Sequence, residues 1–323
     1  MSDWLLDPLR HTFMQHAFVA IVLVGIICGV TGTFVTLRGL AFMGDALSHA
    51  IFPGVVIAYI LGGNFLIGAL IAAIVVSLGI GLVSQSSRLT NDTAIGVLFA
   101  GGFALGIALI SAQRTYVKDL ASFLLGSILG VSRGDLYLTA GVGALVLGAI
   151  AFFRRELTTV AFDRTFAQAT GINVWAFDQL FLVLLSLAIV VSLQTVGNIL
   201  VLAMLVTPAA TARLLTDRLR VMVLLAAGIG AASGVVGLFL SFHLGIASGA
   251  SVVLVATGVF AVVFLFAPKT GVVTAAVSRR LHFPHPERDV FPADDVPASV
   301  GTGAGHVPEG VNTTKRDPSL GSG

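Results

Sequence analysis

An aspartate and a histidine lie four residues apart in the stretch MGDALSHAIFPG, residues 43–54. On an α-helix, side chains with this spacing share one face, with Cβ atoms about 5–6 Å apart. A carboxylate oxygen of Asp45 and an imidazole nitrogen of His49 can therefore converge on one cation, and such mixed donors suit Mn(II), Fe(II) and Zn(II). Taken alone, the pair fits a second interpretation equally well, in which Asp45 stabilises a helix N-terminus and hydrogen-bonds His49.

The pair belongs to a chain whose composition is typical of a membrane protein. Of the 323 residues, 56% are hydrophobic and 11% are charged, whereas soluble domains carry about 25% charged residues. The mean hydropathy is +1.00. Because ionisable side chains are costly inside a bilayer, a pair of them in an apolar segment is a functional-site candidate. The composition predicts an all-α polytopic integral membrane protein.

Apolar runs of the length that crosses a bilayer, roughly 20 residues, predict eight or nine transmembrane helices. The count depends on residues 177–214, which form two spans if TVGN at 195–198 is a tight turn. Residues 120–131 are too short to span and are predicted to be interfacial or re-entrant. The predicted spans are 17–37, 44–61, 65–83, 94–112, 135–153, 177–196, 197–214, 221–241 and 250–267.

Basic residues indicate which loops face the cytoplasm, because Lys and Arg concentrate on that side. Ten of them lie in one alternate set of loops and three in the other. The richer set is predicted to be cytoplasmic and comprises 84–93, 154–174, 212–220 and 268–281. A transmembrane domain over 17–268 is then expected between an amphipathic lead-in, 1–16, and a cytoplasmic tail, 269–323. The tail is rich in Pro, Gly and charge and is predicted to be mostly disordered.

The longest cytoplasmic loop contains a second pattern, FDRTFAQATG, which predicts a short amphipathic helix. Phe162, Phe166 and Ala169 are expected on one side of it, and Gly171 is expected to end it as a C-cap. An apolar stripe of this kind docks into the groove of a partner protein or lies on the lipid surface. The sequence alone leaves both interpretations open.

A third pattern is a proline inside a predicted span, Pro208, directly after Thr207. Proline frees a backbone carbonyl in a membrane helix, and the hydroxyl of Thr207 or Thr211 can satisfy such a group. The resulting kink is expected either to shape a transport pathway or to serve helix packing.

Several classes of function are excluded by missing patterns. The sequence has no P-loop, HExxH pair or CxxC motif, so neither ATP hydrolysis nor another enzymatic activity is expected. The single cysteine, Cys28, cannot form an intrachain disulfide. Basic residues are scattered between apolar blocks rather than clustered, which argues against nucleic-acid binding.

In this order, the three patterns resemble the permease subunits of bacterial ABC importers for manganese, zinc and iron, the metal-specific ABC-3 permease family. The resemblance covers roughly residues 14–268. It is carried by TLRGLAFMGDALSHAIFPGVVIAYILG (36–62), FDRTFAQATGI (162–172) and VGNILVLAMLVTPAATARLL (196–215).

The resemblance implies a type II ABC importer-like fold in the plasma membrane, with a second permease protomer, two cytoplasmic ATPase subunits and an extracytoplasmic metal-binding lipoprotein. It implies no permanently bound cofactor: the metal is transported, and ATP binds the partner subunits. Asp45 and His49 match the family's membrane metal site. The positions that match its ATPase-contact segment are Phe162, Asp163, Phe166, Ala167 and Gly171.

Two features depart from the family pattern. HLGIASGAS, residues 243–251, has no acidic residue before its glycine, and the long polar tail has no counterpart in the family. The alternative function is a proton-coupled secondary metal transporter, which also uses Asp and His on helices but is often built from internal repeats. The GDALSH segment has no counterpart in the second half of the chain.

Overall fold

Long apolar helices make up most of the chain that is described. The computed structural model describes residues 7–84, 91–112 and 128–267. Single turns of 3₁₀ helix lie at Pro8–Arg10 and Ile128–Gly130. The α-helices are α1 (Thr12–Arg38), α2 (Met43–Ala50), α3 (Phe52–Ile60), α4 (Phe65–Ser84), α5 (Asn91–Ser111), α6 (Arg133–Phe152), α7 (Arg154–Phe162), α8 (Arg164–Ala169), α9 (Val174–Val196), α10 (Asn198–Leu215), α11 (Leu219–Leu244) and α12 (Ser248–Phe266).

Nine stretches of helix within the described ranges are long and apolar enough to cross a membrane, counting α2 and α3 together as one. The predicted turn at 195–198 is confirmed, since α9 ends at Val196, Gly197 has φ +88° and α10 begins at Asn198. If these nine are all the spans and the basic loops are cytoplasmic, as the sequence predicts, α1 is expected to begin on the extracytoplasmic side. The predictions for 120–127 and for the tail, 269–323, lie outside the described residues.

Helix α1 lies at the centre of the bundle, where small residues bring helix backbones together. A Cβ atom at Gly25 would lie 2.7 Å from the backbone nitrogen of Ala231 in α11, and one at Gly29 would lie 2.6 Å from the carbonyl oxygen of Ala226. One turn further along the same face, a Cβ at Gly32 would overlap the carbonyl oxygen of Leu205 in α10. In lipid, where apolar burial does not drive helices together, such close packing stabilises their association.

The second span is a broken helix. Pro53 is in the first turn of α3 and has no backbone N–H, so the helical hydrogen bond that the carbonyl of His49 would accept from position 53 is missing. Helix α2 therefore ends one residue after His49. Broken helices of this kind occur in membranes where they line a cavity or a binding site.

The contact between α1 and α10 leads to a stability prediction. Gly32→Ala places a methyl group against the backbone of α10 and forces the helices apart, at a cost of about 1–3 kcal/mol. Gly148→Ala in α6 is the matched control, because nothing lies within 4 Å of the added Cβ. Thermal unfolding in detergent should show a lower midpoint for the first variant and an unchanged or slightly higher one for the second. Equal midpoints would contradict the close packing of α1.

Candidate metal site

The two side chains that the sequence paired do lie together. His49 Nε2 is 3.6 Å from Asp45 Oδ1, and the side chains are 28% and 31% exposed, respectively. Asp45 is in the first turn of α2, where the helix dipole favours a carboxylate. This position fits both the metal-ligand interpretation and the alternative in which Asp45 stabilises the helix N-terminus.

A third donor, missed by the sequence interpretation, lies beside the pair. Asn198 is the first residue of α10, and its Nδ2 is 3.3 Å from His49 Nε2. Rotation of the amide by 180° exchanges Nδ2 and Oδ1 without changing the shape of the side chain. The signal available in the sequence was an amide directly after the turn glycine, Gly197, at the start of an otherwise apolar span.

The two distances from His49 fit ligands of a single cation. Nitrogen and oxygen ligands lie about 2.0–2.2 Å from a first-row metal ion. Two such ligands at angles between 90° and 110° are then about 2.8–3.6 Å apart. The distances from His49 Nε2 to Asp45 and to Asn198, 3.6 and 3.3 Å, lie in or at the edge of that range.

Aromatic rings fix the plane of the imidazole. His49 makes edge-to-face contacts with Phe99 and Phe103, at ring-centroid distances of 5.7 and 5.3 Å. The opposite ring nitrogen, Nδ1, is buried and has no hydrogen-bond partner among the residues that the structure describes. A tightly held metal-binding histidine usually donates this N–H to an acceptor. Its absence within one protomer suits a site that must release its ion.

The local backbone also favours a cation. His49 lies in the last turn of α2, where the unpaired carbonyls carry the negative end of the helix dipole. In the described ranges no three His, Cys, Asp or Glu side chains cluster as a metal site. Another histidine, His243 in the last turn of α11, places Nδ1 2.9 Å from the carbonyl oxygen of Phe239 in its own helix.

The cytoplasmic segment forms the predicted helix, but its apolar residues are arranged differently. Phe162 ends α7, and Asp163 is extended and N-caps α8 by accepting a hydrogen bond from the backbone N–H of Phe166. The two phenylalanines therefore lie on separate helices and are both exposed, 64% and 57%. Ala167 is the buried residue of α8, and Gly171 has φ +81° in the turn that follows.

The proline of the seventh span lies within an unbroken helix. Pro208 is buried, and helical residues continue on both sides of it through α10. The Thr211 hydroxyl donates to the carbonyl of Thr207 at 2.7 Å. The carbonyl that Pro208 leaves without its usual N–H donor is that of Met204, so this hydroxyl satisfies a different group from the one predicted.

A family model described as the ABC 3 transport family matches residues 10–267. The chain belongs to the ABC 3 transport family. As an ABC 3 member it is a multi-pass permease of the plasma membrane, and ATP hydrolysis resides in a separate subunit. The helical fold and the assignment to this family are thereby confirmed.

Other ABC 3 transport proteins cover nearly the same part of the chain. MntC, a manganese transport system membrane protein of Halalkalibacterium halodurans, is 53% identical over 266 residues, which are 82% of this chain and 91% of the relative. A Haemophilus influenzae protein named "Probable iron transport system membrane protein" is 37% identical over 82% of this chain and 98% of its own. The structure of PsaBC from Streptococcus pneumoniae in complex with Fab is 38% identical, with a TM-score of 0.75 over 86% of this chain and 99% of that chain.

The position of Asn198 gives a prediction for this ABC 3 chain. Asn198→Leu keeps the size of the side chain but removes its oxygen donor, so Mn(II) affinity should fall about tenfold or more. Asn198→Asp retains an oxygen and should bind at least as tightly as the unmodified chain. Asn64→Leu, in the loop before α4, is the control. Metal titration of the purified protein by calorimetry measures all three, and unchanged affinity in Asn198→Leu would exclude the amide as a ligand.

Proposed function

We propose that this permease carries manganese into the cytoplasm as the membrane subunit of an ATP-binding-cassette importer. The observation that supports this most directly is that Asp45 and His49, at the start of the second span, meet Asn198, at the start of α10, at distances from His49 that suit one cation. A polar group within a membrane span is costly unless it serves transport or finds a partner. Family membership supports ATP-driven import over a proton-coupled secondary transporter.

The donor atoms of the site favour manganese. Two of the three groups offer oxygen and one offers nitrogen, and carboxylate and carbonyl oxygens suit Mn(II), whereas sites richer in imidazole suit Zn(II). The relative named for manganese transport is also more similar to this chain than the one named for iron transport. Zinc and iron are the competing cargoes. Uptake assays with each metal distinguish them, because affinity at a given nitrogen and oxygen site favours Zn(II) over Mn(II) whichever ion is transported.

The importer is proposed to contain further subunits. Two cytoplasmic ATPase subunits would supply the energy, an extracytoplasmic metal-binding lipoprotein would deliver the ion, and a second permease protomer would complete the membrane part. Three donors are too few for a dehydrated first-row cation, and a twofold axis presents the same surface twice. The exposed fractions of Asp45 and His49 leave room for a second copy of the site to face the first. One shared ion per dimer is the proposed stoichiometry.

The cytoplasmic segment is proposed as the ATPase contact. Phe162 and Phe166 are exposed at the cytoplasmic side, next to the N-capped turn at Asp163 and above the buried Ala167. Two exposed aromatic rings on a short, well-capped helix suit a groove in a partner protein. Thr207 and Pro208 are proposed to shape the pathway at the inner half of α10, where the missing helical hydrogen bond weakens the helix.

The metal-ligand assignment gives a prediction for transport. Asp45→Ala or His49→Ala should abolish Mn(II) uptake into proteoliposomes, because the remaining ligands cannot replace the lost donor, while the complex stays assembled. Ser48→Ala, on the same helix and with both ligands intact, should transport normally. Titration of the unmodified dimer is expected to show one bound ion. Uptake at the unmodified rate in both ligand variants would leave Asp45 and His49 without a role in transport.

A separate prediction tests the ATPase contact. Phe166→Asp places a charge where an apolar ring would enter the groove, and its desolvation should weaken ATPase association about tenfold or more. Gly171→Val should act similarly by straining the turn, since its φ of +81° disfavours a β-branched side chain. Thr165→Asp adds the same charge at a neighbouring exposed position and is the control. Normal co-purification of the ATPase with Phe166→Asp would place the docking surface elsewhere.

A further inference from the structure

Three charged side chains outside the candidate metal site form two ion pairs that share one carboxylate. Asp178, near the start of α9, accepts a hydrogen bond from Arg38 Nη1 at 2.7 Å through one oxygen. Its other oxygen accepts one from Arg164 Nη2 at 2.6 Å. The carboxylate thus joins the last residue of α1 to the first residue of α8, two elements 126 positions apart in the sequence (164 − 38).

Arg38, at the inner end of these ion pairs, is buried. The Arg38 side chain is only 8% exposed, and its guanidinium lies 4.4 Å above the ring of Phe181. Its Nε and Nη2 are buried and have no hydrogen-bond partner in the described part of the chain. Asp178 is therefore the only carboxylate that compensates this buried charge within the described residues, and the Arg38 position depends on it.

Arg38 is also directly connected to the candidate metal site. Gly39 ends α1 in the left-handed conformation, and the N–H groups of Gly39 and Leu40 donate to the carbonyls of Thr36 and Val35. This hydrogen-bonded turn leads within four residues to α2, which carries Asp45 and His49. A displacement of Arg38 therefore moves the turn on which the start of α2 rests.

Apolar packing between the α1–α2 turn and α8 is interrupted by a cavity. The cavity, of about 700 Å³, is lined by Leu40 and Met43 near that turn and by Phe162 and Gln168 of α7 and α8. Helix α7 itself packs on the core through the buried Leu157. Because side chains that face a cavity lose contacts on that side, the ion pairs of Asp178 are the direct link between α8 and the end of α1.

We propose that Asp178 is a positioning residue that couples α8 to α2. Movement of α8 passes through Arg164, Asp178 and Arg38 to the turn that holds Asp45 and His49, so that the energy of ATP hydrolysis reaches the metal site. The inference rests on the proposed function, in which α8 is part of the ATPase contact.

The test measures Mn(II) uptake and ATP hydrolysis together in proteoliposomes that contain the permease with its ATPase subunits. Arg164→Ala is the main variant, because this arginine is 58% exposed and its loss leaves no buried charge without a partner. It should lower the number of ions moved per ATP about five- to tenfold, with ATPase association and Mn(II) affinity unchanged. Arg164→Lys should restore most of the coupling, and Arg155→Ala, an exposed arginine on α7, is the matched control.

A double-mutant cycle with Asp178→Asn tests whether Arg164 acts through Asp178. In the Asp178→Asn background, Arg164→Ala should cause no further loss of coupling. If Asp178→Asn does not fold, the paired replacement Arg38→Met with Asp178→Leu removes the tie without leaving a buried charge and takes its place in the cycle.

The other outcomes distinguish failure of the Asp178 link from failure of the proposed function. Unchanged coupling in Arg164→Ala, or an equal further loss in the Asp178→Asn background, would overturn the tie and leave the proposed function intact. Loss of ATPase co-purification in Arg164→Ala would make Arg164 a docking residue and would also overturn the proposed link through Asp178. If the unmodified complex moves no Mn(II) at all, the proposed function itself is wrong.

Discussion

The apolar interior of the membrane constrains every polar group in this protein. Backbone groups in lipid must be hydrogen-bonded internally, so the spans are helical and irregular backbone is confined to protected places. The break between α2 and α3 is one such place, and it follows His49 directly. The same constraint applies to Asp45, His49 and Asn198, three polar side chains that meet among apolar helices. The cation proposed to bind there would compensate the carboxylate.

The centre of the bundle is closely packed, whereas the broken second span is held less tightly. Helix α1 packs against α10 and α11 through glycines whose neighbours leave no space for a methyl group, which makes the centre rigid. By contrast, α2 is a short helix that ends at a proline-induced break and carries the two proposed metal ligands on one face. A transport site has to bind and then release its ion, and a short helix attached to a rigid frame by turns can change position without disturbing the frame.

The cytoplasmic side shows the same division between fixed and movable parts. Arg38 is buried and stacked on Phe181, whereas Arg164 is exposed on a helix of six residues. Asp178 bridges the two beside a cavity rather than within a packed core. An ion pair keeps its attraction over small displacements better than apolar contacts do, since the Coulomb energy falls slowly with distance. This makes it a suitable link between an element that moves and one that must follow.

The sequence by itself determined the helical class, the nine spans to within one, the turn at Gly197 and the pairing of Asp45 with His49. These features are local: span length, turn chemistry and helical spacing act over a few residues to about twenty. The tertiary structure decided that Asn198 joins His49, although 149 positions separate them, and that Asp178 links Arg38 to Arg164. It also placed Phe162 and Phe166 on separate helices, because the extended backbone at Asp163 breaks the helical spacing that the sequence pattern assumed. Contacts between distant segments depend on how whole helices pack, and the periodicity of one helix carries no information about which residue of another will face it.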